Sequence, residues 1–245
     1  MSNHNKLRLG EIVNGFQPPK PPHNLNLKGA HVSLAPLDKN AHAKELFTAF
    51  QASKEGHTWD YLPYGPFSEY NDFSAWLATI EKIADPYYLV IKKNDTNQAC
   101  GMASYLRIKT ITSSIEIGNV NFSSQLQKSV AGTEAMYLMI KWAFEIGGYR
   151  RCEWKCHSLN RPSRLASQRL GFSFEGITRQ ADIVKQRNRD TAWLAIIDKE
   201  WPLLKECFGR YLDEDNFTDN GKQKISLREL TQKLLFKIDP SLGRN

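Results

Sequence analysis

Apolar positions along this chain recur with two periods, and the elements change where the period changes. In HVSLAPL (31–37), Val32 and Leu34 alternate with other neighbours, which predicts a strand. Asp38 then stands where a helix cap belongs, ahead of Ala43, Leu46, Phe47 and Phe50 on one face of a helix over 40–52. Residues 57–67, HTWDYLPYGPF, keep neither period and read as an irregular loop. A second helix follows over 69–83, with Phe73, Trp76, Leu77 and Ile80 in helical spacing. Strands are predicted over 87–92, 99–108 and 115–122, the first two joined by the turn-forming Asn94-Asp95-Thr96-Asn97. In the third, alternation puts Glu116, Gly118, Val120 and Phe122 on one face.

Beyond a loop over 123–132, a helix from about Thr133 is apolar on almost every side. Its charges, Glu134, Lys141 and Glu145, fall on one narrow line at ~100° per residue, and Gly147-Gly148 ends it. A strand over 151–157 turns Cys152, Trp154 and Cys156 one way and Glu153, Lys155 and His157 the other. A helix over 163–170 comes next, with Asn160 as a possible cap, Pro162 in its first turn and Gly171 at its end. Strands over 172–176, 181–185 and 191–197 complete the pattern, followed by a helix over 201–208 capped by Asp198 and another near 226–238. The order β-α-α-β-β-β-α-β-α, closed by these last strands, is that of an α/β fold with a mixed sheet. Its parallel neighbours must be joined through the two central helices. Residues 1–26, with PPKPP at 18–22, read as an extended arm; 27–208 form the main domain, and 209–245 a helical extension.

Composition narrows the class. With 41% hydrophobic and 24% charged residues the chain is an ordinary globular protein. No apolar run approaches the roughly 20 residues of a membrane span, and no secretory signal is visible. Four cysteines are too few for a disulfide scaffold and lack the neighbours of a metal site, so a reduced, cytoplasmic protein without metal is expected. The net charge of +7 favours an anionic partner, but Lys and Arg are scattered. Net charge alone would support a nucleic-acid binder; a polyphosphate cofactor uses the same charge.

Three features carry candidate chemistry. Glu116 lies among aliphatic neighbours; burial would raise its pKa and make it a usable base, while exposure would leave it an ordinary strand carboxylate. The helix behind the small-residue loop would offer free N–H groups and a positive dipole end to an anion, although its spacing also fits any core helix. Trp59, Tyr61 and Tyr64 either wall a small-molecule pocket or pin their loop to the core. His157 is a further possible base, and a lone strand-end histidine is more often structural.

At Gln127-Lys128-Ser129-Val130-Ala131-Gly132, with Asn160-x-x-Ser163, Leu170-Gly171-Phe172 and the Glu116-Ile117-Gly118 strand, the sequence resembles the GNAT superfamily of acetyltransferases. Within it, the nearer resemblance is to the Rim-type, ribosomal-protein N-terminal acetyltransferase branch, over about 27–202. The superfamily loop reads Gln/Arg-x-x-Gly-x-Gly/Ala, and Val130 stands at its middle glycine. The resemblance implies a mostly antiparallel mixed sheet with one splayed parallel pair and helices on both faces. It implies acetyl-CoA as donor, with the pyrophosphate on backbone N–H groups from Lys128 through Ser129, Val130, Ala131 and Gly132 to Thr133. The pantetheine would lie beside Asn119, Val120, Asn121 and Phe122, Asn160 would bond it, and Ser163 would stand by the thioester sulfur. Direct attack by a primary amine, a small molecule or a peptide N-terminus, would use Glu116 as base, Ser163 as acid and a backbone N–H for the oxyanion. Trp59, Tyr61, Tyr64 and Glu116 would form the acceptor side. Many relatives use a Tyr as the acid, and none stands clearly at that position. A monomer or homodimer would serve. The alternative, motivated by Val130, is a non-catalytic acyl-CoA-binding module.

Overall fold

The strands pair into one eight-stranded sheet in a computed structural model that describes residues 9–52 and 57–243. Its strands are β1 (Leu27–Lys28), β2 (Val32–Pro36), β3 (Tyr87–Lys93), β4 (Ala99–Lys109), β5 (Ser114–Phe122), β6 (Arg151–His157), β7 (Ser173–Val184) and β8 (Arg187–Ile197). They lie in the order β1-β2-β3-β4-β5-β6-β8-β7, and every pair but β5–β6 is antiparallel.

One face is covered by α1 (Lys39–Gln51) and α2 (Tyr70–Ile80). Asp38 caps α1 as expected, its Oδ1 accepting from Asn40 and Ala41 N–H groups. Leu46, Phe50, Phe73 and Leu77 form the core there. The other face packs on α3 (Val130–Lys141) and α5 (Trp201–Leu212), through Ala135, Met136, Met139, Ile140, Trp201, Leu204 and Phe208. Of the charged line on α3, Lys141 and Glu145 reach the surface but Glu134 does not. Glu134 is buried and accepts from Ala30, His31 and Val32 N–H groups at 2.8, 2.7 and 3.0 Å. Three charge-assisted bonds thus fix the start of α3 to the β1–β2 turn.

Several boundaries differ from the sequence reading. α3 begins at Val130, so the supposed loop residues 130–132 are its first turn, and its end is a π-helical turn over Trp142–Ile146. The strands expected separately at 172–176 and 181–185 are one strand, β7, whose register shifts between Thr178 and Asp182. Its exposed polar residues hid the continuity. Asp198 does not cap α5: its Oδ1 accepts from Lys199 N, and Glu200 is the cap residue. The helix near 226–238 shortens to α6 (Leu227–Thr231), opened by a Ser226/Glu229 capping box. Past it the backbone bonds to β7 instead: Phe174 N donates to Lys237 O at 2.9 Å, and Phe236 N to Ser173 Oγ at 2.8 Å. Leu227 and Leu230 join the main core, and position 208 falls inside α5.

The one parallel pair positions the site. β5 and β6 are paired only at Ser114↔Arg151, Ile115↔Cys152 and Glu116↔Glu153. Beyond these residues Gly118–Phe122 and Trp154–His157 diverge, opening a wedge in mid-sheet. In the same stretch β5 gains a residue against β4, where Gly118 faces Ser104 but Asn121 faces Met102. Asn119 takes up the bulge at φ +49°. The expected alternation therefore breaks: Asn121 joins Glu116 and Gly118 on one face, and Phe122 turns to the α3 side. Finally, α4 (Arg161–Arg169) follows β6 and is held by the C-terminal segment through the buried Arg164–Asp239 pair.

Candidate functional site

A cleft of about 1130 Å³ runs through the wedge. At one end it meets the start of α3. Ser129 caps this helix, accepting from Gly132 N at 2.9 Å and donating to Leu126 O at 2.8 Å. Lys128 holds φ +56°, the turn that brings the chain into the helix. Gln127, Lys128, Ser129, Gly132 and Thr133 line the cleft; Val130 and Ala131 do not, because both pack into the core behind it. Of the N–H groups expected to face an anion, Ser129, Gly132 and Thr133 are bonded within the turn. Those of Lys128, Val130 and Ala131 have no partner among the described residues. A Cβ at Gly132 would lie 2.3 Å from Leu126 O and 3.1 Å from Phe122 Cε2, so this position is the one where glycine is required. Val130, at the motif's middle glycine, takes no space from the cleft.

Asn119, Val120, Asn121 and Phe122 all line the wedge. The Asn119 amide braces the bulge by donating to Ser104 Oγ at 2.9 Å, and Gln127 Nε2 donates to Phe122 O at 2.8 Å. Asn121 is buried, and neither its Oδ1 nor its Nδ2 has a partner among the described residues. Such an unsatisfied amide beside the cleft fits a ligand rich in amides. Across the wedge, Asn160 Oδ1 accepts from Ser163 N at 3.1 Å, the capping role. Ser163 Oγ accepts from Trp154 Nε1 at 2.9 Å, which leaves its own hydrogen to donate.

Glu116 is 2% exposed and stands in the cleft wall, but it is not alone. Arg107 Nη1 donates to its Oε1 at 2.8 Å, and Lys155 Nζ lies 3.0 Å from its Oε2. Lys155 also donates to Glu153 at 2.6 Å and sits over the Trp193 ring at 4.0 Å. Burial pushes the Glu116 carboxyl up, and the two cations only partly offset it. His157 accepts from Leu159 N at its Nδ1 and stacks edge-on with Tyr61, which points to a positioned ring at the cleft rim.

The aromatic loop divides. Tyr61 and Tyr64 line the cleft, and Tyr61 Oη donates to Leu159 O at 3.2 Å. Trp59 does not line it. It is buried in the α1–α2 core, edge-on to Phe50, Phe67 and Phe73, so its expected place on the acceptor wall is corrected to a core role.

The sequence reading missed Arg107, Lys155, Arg169 and Arg189, all in the cleft wall. Arg169, on the last turn of α4, donates to Thr133 Oγ1 at 3.1 Å, and burial holds its pKa below the ordinary arginine value. The spacing of Arg169 from Asn160 was the available signal; the others come together only through sheet register. The four cysteines are free and buried, and the described residues hold no group of three His, Cys, Asp or Glu that could bind a metal. None of the described helices is long and apolar enough to cross a membrane.

Comparison with known proteins places this arrangement. Residues 31–173 match the family model described as Acetyltransferase (GNAT) domain. A GCN5-related N-acetyltransferase from Brucella melitensis is 35% identical, with a TM-score of 0.88 over 90% of this chain and 100% of that one. A GNAT-family protein from Chromobacterium violaceum is 40% identical, with a TM-score of 0.74 over 80% of this chain and 97% of that one. The microcin C7 self-immunity acetyltransferase MccE, solved with acetyl-CoA and AMP, shares the fold at 19% identity, with a TM-score of 0.60 over 69% of this chain and 93% of that one. No match was found among curated proteins.

Proposed function

This chain belongs to the acetyltransferase (GNAT) family, and on that premise we propose that it moves the acetyl group of acetyl-CoA to a primary amine by direct attack in a ternary complex. The observation that carries this reading is one continuous cleft through the β5–β6 wedge, with an anion-ready helix start and Glu116 both in its wall. Acetyl-CoA supplies the acetyl group as an activated thioester.

Lys128, Arg169 and the unpaired N–H groups at the start of α3 hold its phosphates. Asn119, Val120, Asn121 and Phe122 receive the pantetheine amides, the Asn121 side chain being the unsatisfied one. Asn160 orients α4 through its cap. Glu116 takes a proton from the acceptor ammonium, directly or through a water, and its raised pKa makes it a stronger base than an exposed carboxylate. Ser163 would relay a proton, giving its hydrogen to the departing sulfur as it takes up the second proton shed by the attacking nitrogen, while Trp154 holds the oxygen. Tyr61 and Tyr64 wall the acceptor, which is a small amine or, as the Rim-type resemblance suggests, a peptide α-amino group. Holding both substrates in register contributes alongside these proton transfers.

The test is steady-state release of CoA thiol from acetyl-CoA over a panel of primary amines. Amine-dependent release with formation of the N-acetyl product is expected. Tight acetyl-CoA binding with no turnover on any amine would instead support a non-catalytic acyl-CoA module.

A further inference from the structure

The acceptor end of the cleft carries Asp60, Arg107, Glu116, Lys155, Asp182 and Arg189. Their partners separate them. Glu116 is held by Arg107 and Lys155 at 2.8 and 3.0 Å. Lys155 is shared with Glu153 at 2.6 Å. Asp182 Oδ1 is turned back on its own strand, accepting from Ile183 N at 2.8 Å. Asp60 is also engaged. Of these carboxylates, the buried Glu116 is already paired with two cations, whereas Asp182 is exposed at the rim.

Arg189 differs from all of these. It sits on β8 just past the hairpin tip, across the ladder from Asp182. Its side chain is half-buried, its Nε is buried without a hydrogen-bond partner, and it forms no ion pair among the described residues. The hairpin tip and the aromatic loop meet on this side of the cleft, where Lys185 Nζ donates to Trp59 O at 2.9 Å. A half-buried guanidinium without a counter-ion is unfavourable, and its fork of donors fits a carboxylate or phosphoryl group through two parallel bonds.

We infer that the acceptor amine bears an anionic group, a carboxylate or a phosphoryl, and that Arg189 receives it. This rests on the acetyl-transfer reading above and narrows its substrate class away from polyamines and other polycations. Arg189 acts as a specificity-determining residue at the far side of the acceptor from the reacting amine.

The experiment compares matched amines that differ only in the anion: amino acids against their amides, O-phosphoethanolamine against ethanolamine, with spermidine as the polycation. The anionic member of at least one pair should show kcat/KM higher by roughly tenfold or more, with the difference in KM. Arg189→Gln should abolish that preference, and Arg189→Lys should retain part of it. Which pair responds distinguishes carboxylate from phosphoryl. Equal or better use of the neutral or polycationic amines, or a preference that survives Arg189→Gln, overturns the inference.

A second arm does not need turnover. With CoA present, calorimetric binding of N-acetylglycine is compared with N-acetylglycinamide, and of N-acetyl-O-phosphoethanolamine with N-acetylethanolamine. Tighter binding of an anionic product, lost in Arg189→Gln, is expected. Equal or absent binding of both members in both pairs contradicts the role of Arg189. Absence of turnover on every amine, with the anionic preference in binding intact, would overturn the transfer reading alone.

Discussion

Two loops meet the cleft from opposite ends, and they are built on different physics. The loop over 123–129 works through backbone. Its side chains brace the turn, Ser129 caps the helix, and Gly132 just beyond leaves room where any Cβ would strike Leu126 O. The loop over 57–67 works through rings, and Trp59 among them is buried in the core, with Phe67 packed against it. A backbone site has few steric solutions, so small residues at fixed spacing announce it. An aromatic side chain lowers the free energy equally well as wall or as core, so its identity does not say which.

Substitutions can break this contrast. The largest effect is expected from Trp59→Ala, which empties a buried ring position and should lower stability by about 3–5 kcal/mol, read as a fall in thermal or denaturant midpoint. A wall residue would cost far less stability and more acceptor affinity. Glu116→Gln should reduce kcat about 100-fold, about 2.7 kcal/mol in barrier. The sign of its pH dependence follows from burial. A protonated Glu116 cannot accept a proton, so activity falls as pH falls through its pKa, and that limb lies above the ordinary glutamate value of 4.5. In Glu116→Gln that acid limb should vanish from the kcat profile; an unchanged limb would assign it to another group.

Smaller effects sharpen the other end. Gly132→Ala forces a shift of the Leu126 carbonyl and should cost about 1–3 kcal/mol, seen both in acetyl-CoA affinity and in stability. Val130→Gly, by contrast, should leave acetyl-CoA affinity within about twofold, since Val130 faces the core and removing it opens nothing toward the cleft. Ser163→Ala should slow turnover about tenfold with little change in acetyl-CoA affinity, measured by titration beside steady-state rates.

The same contrast explains what the sequence disclosed. The order of strands and helices, the Asp38 cap and the buried, one-sided Cys152/Trp154/Cys156 strand followed from period and cap chemistry. So did the helix behind the small-residue loop, although its first turn lay three residues earlier than expected. The break in β5 did not follow, because a bulge at Asn119 depends on the partner strand; alternation alone put Phe122 on the wrong face. Nor did the Arg107–Glu116–Lys155 cluster, whose members come from three strands joined by register. Long-range register also decided the C-terminal segment, where bonding to β7 replaced the helix that local pattern favoured.

The central claim is that the wedge between β5 and β6 holds acetyl-CoA with its reacting end between Glu116 and Ser163. A crystal structure with CoA bound tests it most directly. The account predicts the pyrophosphate at Lys128 to Thr133 and the pantetheine along Asn119–Phe122, with the sulfur in contact with the Ser163 hydroxyl. A pantetheine outside the wedge, or a sulfur remote from both Glu116 and Ser163, would contradict it.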